Sequence, residues 1–418
     1  MKHPQRILLI SHLAINDSNN VGKTLLNIFQ EFKKENLFQL YFNSTPPNVN
    51  KCTFWYSITD YQVLHSMCGK KAGCEFSFEE NYDDSKSTLY KKVSGKTTVR
   101  LLLRDIVWKL ARIDYNSLYS WVQKCSPSVI FLAPGQSAFA YRIASKISQK
   151  YNIPIVTFLM DDFYNEKKSE SFFEQCRIKW IRHSIKNCLK LSRKIYSVSE
   201  TMANDYEVFC GKKIDVLYTP INIKKRQKPH TPDIHNLKFI YAGSIGLGRW
   251  EILRTIGQYL LEHYPKSQLT VYCSNDYNKE LSNITQLPTV VYGGFVSSSQ
   301  LDEIINDSDV LLHVESFDAK QTLRTRYSVS TKIPECMESG KYFLAVGPKG
   351  QAGLEYLKKH KAAIVCNSLD ELFNAIETIH KENFDYSDYL RKSEELLKAN
   401  HTAHSIHNKL SKDFLEIL

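Results

Sequence analysis

The chain has 418 residues, of which 43% are hydrophobic, 24% charged and 12% aromatic, and this composition excludes a disordered, collagen-like or disulfide-stapled protein. Its formal net charge of +11 is uneven, because residues 1–220 contain 31 Lys and Arg against 20 Asp and Glu, whereas residues 221–418 contain 24 of each. The length predicts two or three domains, each large enough to bury its own core.

The first apolar run, Ile7–Ile10, predicts a buried strand. It resembles the start of a signal peptide, but Ser11 and His12 interrupt it and no small-residue cleavage site follows. No stretch approaches the roughly 18 uncharged apolar residues that a membrane span needs. The ten cysteines form no CxxC pair, which indicates reduced thiols that mostly serve packing. We therefore expect a cytoplasmic protein.

Short apolar runs alternate with helical stretches along the whole chain. Most of these runs are continuously apolar, which is typical of parallel strands covered by helices on both faces. The sequence therefore predicts an α/β fold with two doubly wound domains. The predicted strands are Arg6–His12, Leu37–Asn43, Ser128–Pro134, Pro154–Asp162, Lys194–Glu200, Phe239–Ile245, Gln268–Ser274, Thr289–Phe295, Ser308–Glu315, Tyr342–Gly347 and Ala362–Cys366.

The domain boundary is predicted where apolar periodicity stops. Residues 219–236 contain three prolines among basic and polar residues, and we place the linker there. This assigns residues 1–218 to a first domain and residues 237–385 to a second. Residues 386–418 have few strand signals and predict terminal helices that return across the linker.

A glycine-containing loop follows the first strand and opens a helix at Val21-Gly22-Lys23-Thr24. Together with the carboxylates of Asp161 and Asp162, which end another strand, it imitates a P-loop NTPase. The complete loop requires a glycine five residues before Gly22, and that position is Asp17, which would repel a phosphate. Gly22 either lets the backbone approach a ligand or makes the turn into the helix. A P-loop-like NTPase is retained only as an alternative.

The second half contains a more specific set of residues. Tyr241–Trp250 predicts a strand, a glycine-rich loop and a helix start, with Arg249 placed to neutralise an anion. Ser330–Lys341 predicts a helix with Ser330 as its N-cap. Lys332, near the start of this helix, would support an anion, and Glu335 could accept hydrogen bonds from sugar hydroxyls.

These motifs resemble the GT-B glycosyltransferases of the large family called glycosyltransferases group 1 (family 4-like). The likeness covers nearly the whole chain and is most specific over Phe239–Arg249 and Ser308–Gly347. Asn20–Leu25 and Met160–Asp162 also resemble a bacterial surface-polysaccharide branch of that family. The resemblance implies two facing Rossmann-like domains, with a nucleotide-sugar donor held mainly by the second.

The resemblance also implies roles for individual residues. Glu335 matches the glutamate that binds the donor ribose, Arg249 and Lys332 fall where basic residues meet the diphosphate, and Gly22 falls on the loop that approaches the donor from the first domain. The expected donor-binding residues are Gly22, Gly243, Gly246, Arg249, Glu315, Ser330, Thr331, Lys332 and Glu335.

The sequence departs from the family pattern at two places. A second glutamate is expected eight positions before Glu335, where Tyr327 stands, and Glu315 is the nearest candidate. The usual catalytic histidine is also missing after the strand Ser128–Pro134. The resemblance implies a retaining mechanism, and Asp161, at the end of a strand, is the candidate catalytic carboxylate; capping the next helix is the alternative role for it.

No cofactor or metal is expected, because GT-B sites generally hold no metal. Asp307-Ser308-Asp309 forms a DxD motif, but it precedes an apolar strand, where we interpret it as a solvated turn.

Basic residues cluster in the first half. Residues 99–112 fit an amphipathic helix whose basic side chains, Arg100, Arg104, Lys109 and Arg112, would face an anionic membrane or an acceptor. Packing of the helix on its own domain is the alternative. Nucleic acid is not expected as a partner, since no recognition motif accompanies the charge.

The sequence thus predicts a glycosyltransferase that moves a sugar from a nucleotide-sugar to a lipid-linked glycan acceptor in surface-polysaccharide synthesis. We expect it in the cytoplasm and peripherally on the inner face of the plasma membrane. A nucleotide-sugar epimerase of the same fold and a non-catalytic GT-B partner subunit remain alternatives.

Overall fold

The computed structural model describes residues 5–78, 98–164, 172–223, 232–381 and 384–418.

The chain divides into two compact units. The first unit contains Met1–Pro220 and Ala403–Leu418, and the second unit contains Ile221–Thr402. The last part of the chain therefore returns to the first unit.

The first unit is built on an eight-stranded sheet in the order β4-β3-β2-β1-β5-β6-β7-β8. Every neighbouring pair is parallel except β3 and β4. Every residue of β1, β2, β5 and β6 is buried, as the continuous apolar runs predict. The strands are β1 Ile7–Ser11, β2 Leu37–Tyr41, β3 Phe54–Ser57, β4 Cys74–Phe76, β5 Val129–Ala133, β6 Ile155–Leu159, β7 Ser192–Ser197 and β8 Asp215–Val216.

Helices flank this sheet. They are α1 Asn20–Ile28, α2 Asp60–Ser66, α3 Thr98–Leu110, α4 Tyr115–Cys125, α5 Ala138–Tyr151, α6 Phe172–Leu191 and α7 Glu200–Cys210.

The second unit has a six-stranded parallel sheet in the order β11-β10-β9-β12-β13-β14. Its strands are β9 Lys238–Ala242, β10 Gln268–Tyr272, β11 Val290–Gly294, β12 Val310–Val314, β13 Tyr342–Val346 and β14 Ile364–Cys366. Its helices are α8 Arg249–His263, α9 Asn278–Ile284, α10 Ser298–Asn306, α11 Ala319–Thr325, α12 Ile333–Glu338, α13 Ala352–His360, α14 Leu369–Ile379 and α15 Ser387–Asn400.

The last helix, α16 (Ala403–Ile417), packs on the first unit, so the predicted pair of terminal helices is divided between the units. Ile406, Leu410 and Phe414 join the buried core of the first sheet. The Tyr196 hydroxyl donates a hydrogen bond to the Asp413 carboxylate, and Lys194 Nζ lies 3.6 Å from the same group. Apolar burial and a charged contact thus hold α16 against β7.

The predicted fold class is confirmed, and all the predicted strands are present. The sequence missed β3, β4 and β8, which lie toward the edges of the first sheet and have at most four residues. Such short runs give little periodicity from which to predict a strand.

The orientation of α3 differs from the amphipathic pattern predicted for it. Arg104 Nε donates to Asp60 Oδ1 at 2.9 Å, so this arginine points to a neighbouring helix and not to an outer basic surface. The apolar residues Leu103, Ile106 and Leu110 are instead 54%, 39% and 61% exposed. Lys109 and Arg112 are exposed, as predicted, while the side chain of Arg100 lies outside the described residues.

A search of the described helices finds none that is long and apolar enough to cross a membrane.

Candidate functional site

The order of the second sheet reverses between β9 and β12, which are neighbours although β10 and β11 separate them in sequence. In open α/β sheets, ligands bind at the carboxyl ends of the strands beside such a switch point. The loop after β9 leads to Arg249, and β12 ends next to Glu315. Two of the predicted donor-binding residues therefore lie at the position where the topology favours a ligand.

A cavity of about 180 Å³ opens at this switch point. One part of its wall is polar and contains Gly243, Arg249, Ser330, Lys332 and Glu335, all of which were predicted as donor-binding residues. The other part is apolar and is formed chiefly by Ile240, Leu301, Ile305, Leu311 and Cys336. The same cavity thus offers cations, a carboxylate and an apolar wall.

Arg249 forms an ion pair at the mouth of the cavity. Its Nη2 lies 2.9 Å from Glu315 Oε2, and its Nε donates to the Val314 carbonyl at 3.0 Å. The Glu315 side chain is only 7% exposed, whereas that of Arg249 is 17% exposed. Glu315 therefore orients the guanidinium group, and Arg249 is the partner that reaches solvent more.

The alternation of β12 explains why Glu315 and His313 share a face. Val310, Leu312 and Val314 point into the main core of the unit, so His313 and Glu315 point to the other side. Of these two, His313 lines the cavity, while Glu315, which was predicted as a donor-binding residue, does not. His313 Nε2 lies 3.6 Å from Glu315 Oε1. Desolvation by burial lowers the pKa of His313, which keeps its imidazole neutral near pH 7.

The glycine-rich loop between β9 and α8 makes a tight turn that starts the helix at Arg249. Gly248 has a φ of 77°, a left-handed conformation that side chains rarely adopt, and a Cβ there would lie 2.5 Å from Ser316 Oγ. The loop therefore requires glycine at this position, and the turn delivers Arg249 to the cavity. Gly246 lies in the same loop but does not line the cavity.

Lys332, just before α12, and Glu335, within it, line the polar part of the same cavity. Lys332 Nζ donates to the Ala242 carbonyl at 2.6 Å, which holds the ammonium group against the end of β9. The prediction of Ser330 as the helix N-cap is wrong, because α12 begins at Ile333 with Lys332 in the cap position. Ser330 lines the cavity, while Thr331 is exposed and does not.

The DxD motif lies at the amino ends of the strands, whereas the cavity opens at their carboxyl ends. Asp307 and Asp309 precede β12, at its amino end, where Lys238 Nζ lies 2.8 Å from Asp307 and the Lys238 amide donates to Asp309 at 2.8 Å. These carboxylates contact the start of β9, and neither lines the cavity. Asp307 is exposed, as expected of a solvated turn, whereas Asp309 is buried, because it accepts a hydrogen bond from the amide at the start of β9. In the part of the chain that the structure describes, no cluster of three or more His, Cys, Asp or Glu could hold a metal ion.

The first sheet has its own switch point, between β1 and β5. His12 follows β1 there, and its Nδ1 lies 3.3 Å from the hydroxyl of Ser137, which follows β5. Desolvation and the nearby Arg104 guanidinium lower the pKa of His12 to about 4. In the sequence, His12 is marked only as the end of an apolar run, and its position directly after the first strand is the signal that could have identified it.

Gly22 and Asp161 both belong to the first unit. A Cβ on Gly22 would lie 2.7 Å from the Ala14 carbonyl oxygen, and its amide donates to the N-cap Asn19 at 2.7 Å. Packing of α1 on the preceding loop therefore accounts for this glycine, and its contact with a donor stays a prediction. Desolvation raises the pKa of Asp161, which follows β6, while the neighbouring Asp162 accepts a hydrogen bond from Tyr206 at 2.6 Å.

Comparison with known proteins gives structural matches alone. No family model matches the sequence, and a search of curated proteins finds no match. The structure of Anabaena Alr3699/HepE in complex with UDP is similar, with a TM-score of 0.66 and 14% sequence identity over 99% of this chain and 100% of that one.

Two further solved structures are similar over nearly their full length. The apo form of the lipopolysaccharide outer core galactosyltransferase WaaB has a TM-score of 0.61 at 12% identity, covering 99% of each chain. An E. coli structure named for trehalose-6-phosphate and bound with UDP-2-fluoro glucose has a TM-score of 0.60 at 13% identity, over 98% of this chain and 99% of that one. At these identities the likeness concerns the fold, and the chain has the GT-B fold of these glycosyltransferases.

Proposed function

We propose that this protein is a glycosyltransferase that binds a nucleotide-sugar donor in the second unit. The observation that carries the proposal is the convergence of Arg249, Lys332 and Glu335 on one cavity at the switch point of the second sheet. Similar structures that contain UDP, UDP-glucose or UDP-2-fluoro glucose support the choice of donor class.

Each part of the cavity suits one part of such a donor. The Arg249 guanidinium and the Lys332 ammonium provide positive charge for a diphosphate, and a preorganised cation stabilises the negative charge that develops on the departing nucleotide. The Glu335 carboxylate accepts hydrogen bonds from the ribose hydroxyls. The apolar wall that includes Ile240 and Leu301 suits a nucleobase, because such surfaces are desolvated at little cost.

We propose further that the first unit binds the acceptor, a glycan carried on a lipid in surface-polysaccharide synthesis. This proposal is supported by the excess of positive charge in residues 1–220, which suits an anionic carrier group. His12 and Asp161 both stand at carboxyl ends of strands in that unit. A neutral His12 imidazole is a weak base but a good hydrogen-bond partner for an acceptor hydroxyl, and Asp161 is the carboxylate that we assign to the transfer step.

Transfer is proposed to need no metal, with the charge of Arg249 and Lys332 performing the electrostatic task. The retaining outcome that the sequence predicts is kept in this proposal. Activity measured in excess chelator checks the first point, because a metal-dependent enzyme loses its activity completely under that condition.

A donor-hydrolysis or sugar-transfer assay with the variant Glu335→Ala tests the proposal. We expect a loss of at least about tenfold in kcat/KM, mostly through donor binding, because hydrogen bonds to a charged group contribute about 1.5–3 kcal/mol each. Glu262→Ala is the matched control, since Glu262 is an exposed glutamate on α8 that does not line the cavity. Equal kinetics of Glu335→Ala and the wild type would overturn the assignment of the site.

A further inference from the structure

His313 is a buried polar side chain that lines the cavity of the second unit. The residue is only 9% exposed, and its Nε2 lies 3.6 Å from Glu315 Oε1, which is too long for a hydrogen bond. Within the described parts of the chain, neither nitrogen of its ring makes a hydrogen bond. Buried polar groups in folded proteins nearly always have a partner, so the missing partner of His313 is expected to come from the ligand that fills the cavity.

The position of His313 along β12 indicates which part of a nucleotide it would meet. Leu311, His313 and Glu315 follow one another on the same face of the sheet, about 6–7 Å apart. Leu311 belongs to the apolar wall of the cavity, and Glu315 pairs with Arg249. His313 therefore lies between the wall that suits a base and the cation that suits a diphosphate. The part of a nucleotide between its base and its outer phosphate is the ribose with the phosphate attached to it.

The packing around the imidazole limits the rotation of its ring. Gly353 lies in the first turn of α13, where an added Cβ would be 3.8 Å from His313 Nε2 and 3.0 Å from Ile333 Cδ1. The Glu315 carboxylate lies near the same nitrogen. A ring that is already held in place loses little side-chain entropy when it binds a ligand.

The charged groups around His313 favour a phosphate as its partner. Burial lowers the pKa of His313, the Glu315 carboxylate raises it, and the Arg249 guanidinium at the start of α8 lowers it. Lys332 and Glu335 line the same cavity from the segment around α12. Because Glu335 is assigned to the ribose hydroxyls, the acceptor left for an imidazole N–H beside Arg249 is a phosphate oxygen.

We propose that His313 donates a hydrogen bond to the phosphate next to the ribose of the donor and takes up a proton from solvent when this phosphate binds. The inference rests on the proposed function, since it requires a nucleotide-sugar in the cavity. A phosphate beside the imidazole stabilises its charged form, so binding raises the pKa that burial has lowered. Donor affinity should therefore increase as the pH falls toward the ordinary histidine pKa of 6.5, because protonation and donor binding favour each other.

Titration calorimetry at about pH 6, in two buffers of different ionisation enthalpy, counts the protons taken up and tests the proposal. The probe is UDP-glucose or, if this does not bind, the nucleotide-sugar that the wild type binds most tightly. The diphosphate of a nucleotide-sugar has no terminal phosphate, which would itself titrate near pH 6. The wild type should take up a fraction of a proton, at most about one, for each ligand bound, and should bind more tightly at about pH 6 than at about pH 8.

Two variants of His313 separate the hydrogen bond from the proton. His313→Leu should lose the proton uptake and bind at least about tenfold more weakly, because a hydrogen bond to a charged group is lost. His313→Gln keeps a hydrogen-bond donor that cannot change its charge. It should bind more tightly than His313→Leu and also lose the uptake, which a purely structural histidine would not affect.

His263→Gln is the matched control, since His263 is exposed at the end of α8 and does not line the cavity. It should bind the donor and take up protons like the wild type. Proton uptake by His313→Gln equal to that of the wild type, or equal affinities of His313→Leu and the wild type, would overturn the inference and leave the proposed function standing. Absence of saturable binding of any nucleotide-sugar to the wild type would overturn both.

Discussion

The switch points of the two sheets use charge in different ways. In the second unit, the carboxyl ends of β9 and β12 bring Arg249 and His313 to a cavity, and Glu315 pairs with Arg249 beside it. In the first unit, His12 contacts Ser137, and the nearby cation Arg104 is paired with Asp60. The ring of Trp108 stacks on that of Phe139 in the same region.

The difference shows what makes an ion pair available to a ligand. Arg177 and Asp105 form a buried pair that attaches α3 to α6, and Arg177 Nη2 also donates to Gln136 Oε1 at 3.2 Å, so the guanidinium is held by its own unit. Arg249 is oriented by Glu315 but also lines the cavity, together with Lys332. A charge pair of the same kind thus attaches helices in one unit, and in the other it lies at the site that we propose for the donor.

Replacing one partner of each buried ion pair should give the largest losses of stability. Arg177→Met removes the ion-pair partner of the buried Asp105, and Arg249→Met removes that of the buried Glu315, whose other close neighbour, His313, is neutral near pH 7. Each change should lower the free energy of unfolding by about 3–5 kcal/mol, because an uncompensated buried charge is costly. Urea unfolding followed by circular dichroism measures this loss. As a control, Lys124→Met, whose partner Glu75 is 36% exposed, should cost less than about 1 kcal/mol.

Double variants that replace both partners of an ion pair separate a role in stability from a role in nucleotide binding. Arg177→Met with Asp105→Asn should recover most of the stability and leave nucleotide binding unchanged. Arg249→Met with Glu315→Gln should also recover stability, but nucleotide affinity should stay at least about tenfold weaker, because the cation that meets the diphosphate is gone. If the second double variant binds UDP like the wild type, Arg249 serves the fold alone and the proposed contrast between the units fails.

The two histidines should give a smaller, pH-dependent effect. The pKa of His12 is lowered to about 4 from an ordinary 6.5, and that of His313 is also lowered, so the unfolded chain binds more protons than the folded one. Stability is therefore fully present above about pH 6.5 and is lost as the pH falls toward the folded pKa. For His12 the loss is at most about 3 kcal/mol by pH 4.

The variants His12→Gln and His313→Gln check this pH dependence. Each should flatten part of the curve of unfolding free energy against pH, and His313→Gln should act on the second unit. Curves parallel to that of the wild type would show that neither imidazole is held neutral by burial.

The sequence carried enough information for the sheets and for most of the cavity. Continuous apolar runs predicted every central strand, because parallel strands buried on both faces need apolar residues at successive positions. The glycine-rich loop before Arg249 and the segment around Lys332 and Glu335 were found because local motifs mark them.

Interactions between distant residues could not be predicted in this way. The orientation of α3 depends on Asp60 and Arg177, which lie 44 and 72 residues from the side chains that they bind. A hydrophobic pattern shows that a helix has two faces but not which face is turned inward when the polar one finds buried partners. His12 was missed for a related reason, since Ser137 is 125 residues away.

Titration calorimetry with UDP and UDP-sugars is the most direct test of the donor cavity. The wild type should bind with a saturable heat, and Lys332→Met should bind at least about tenfold more weakly because it loses a charge-assisted contact with the diphosphate. Lys266→Met, which removes an exposed lysine before β10 at the amino end of the same sheet, should bind like the wild type. No saturable binding of any nucleoside diphosphate or nucleotide-sugar to the wild type, or equal affinities of Lys332→Met and Lys266→Met, would contradict a nucleotide-sugar site at this position.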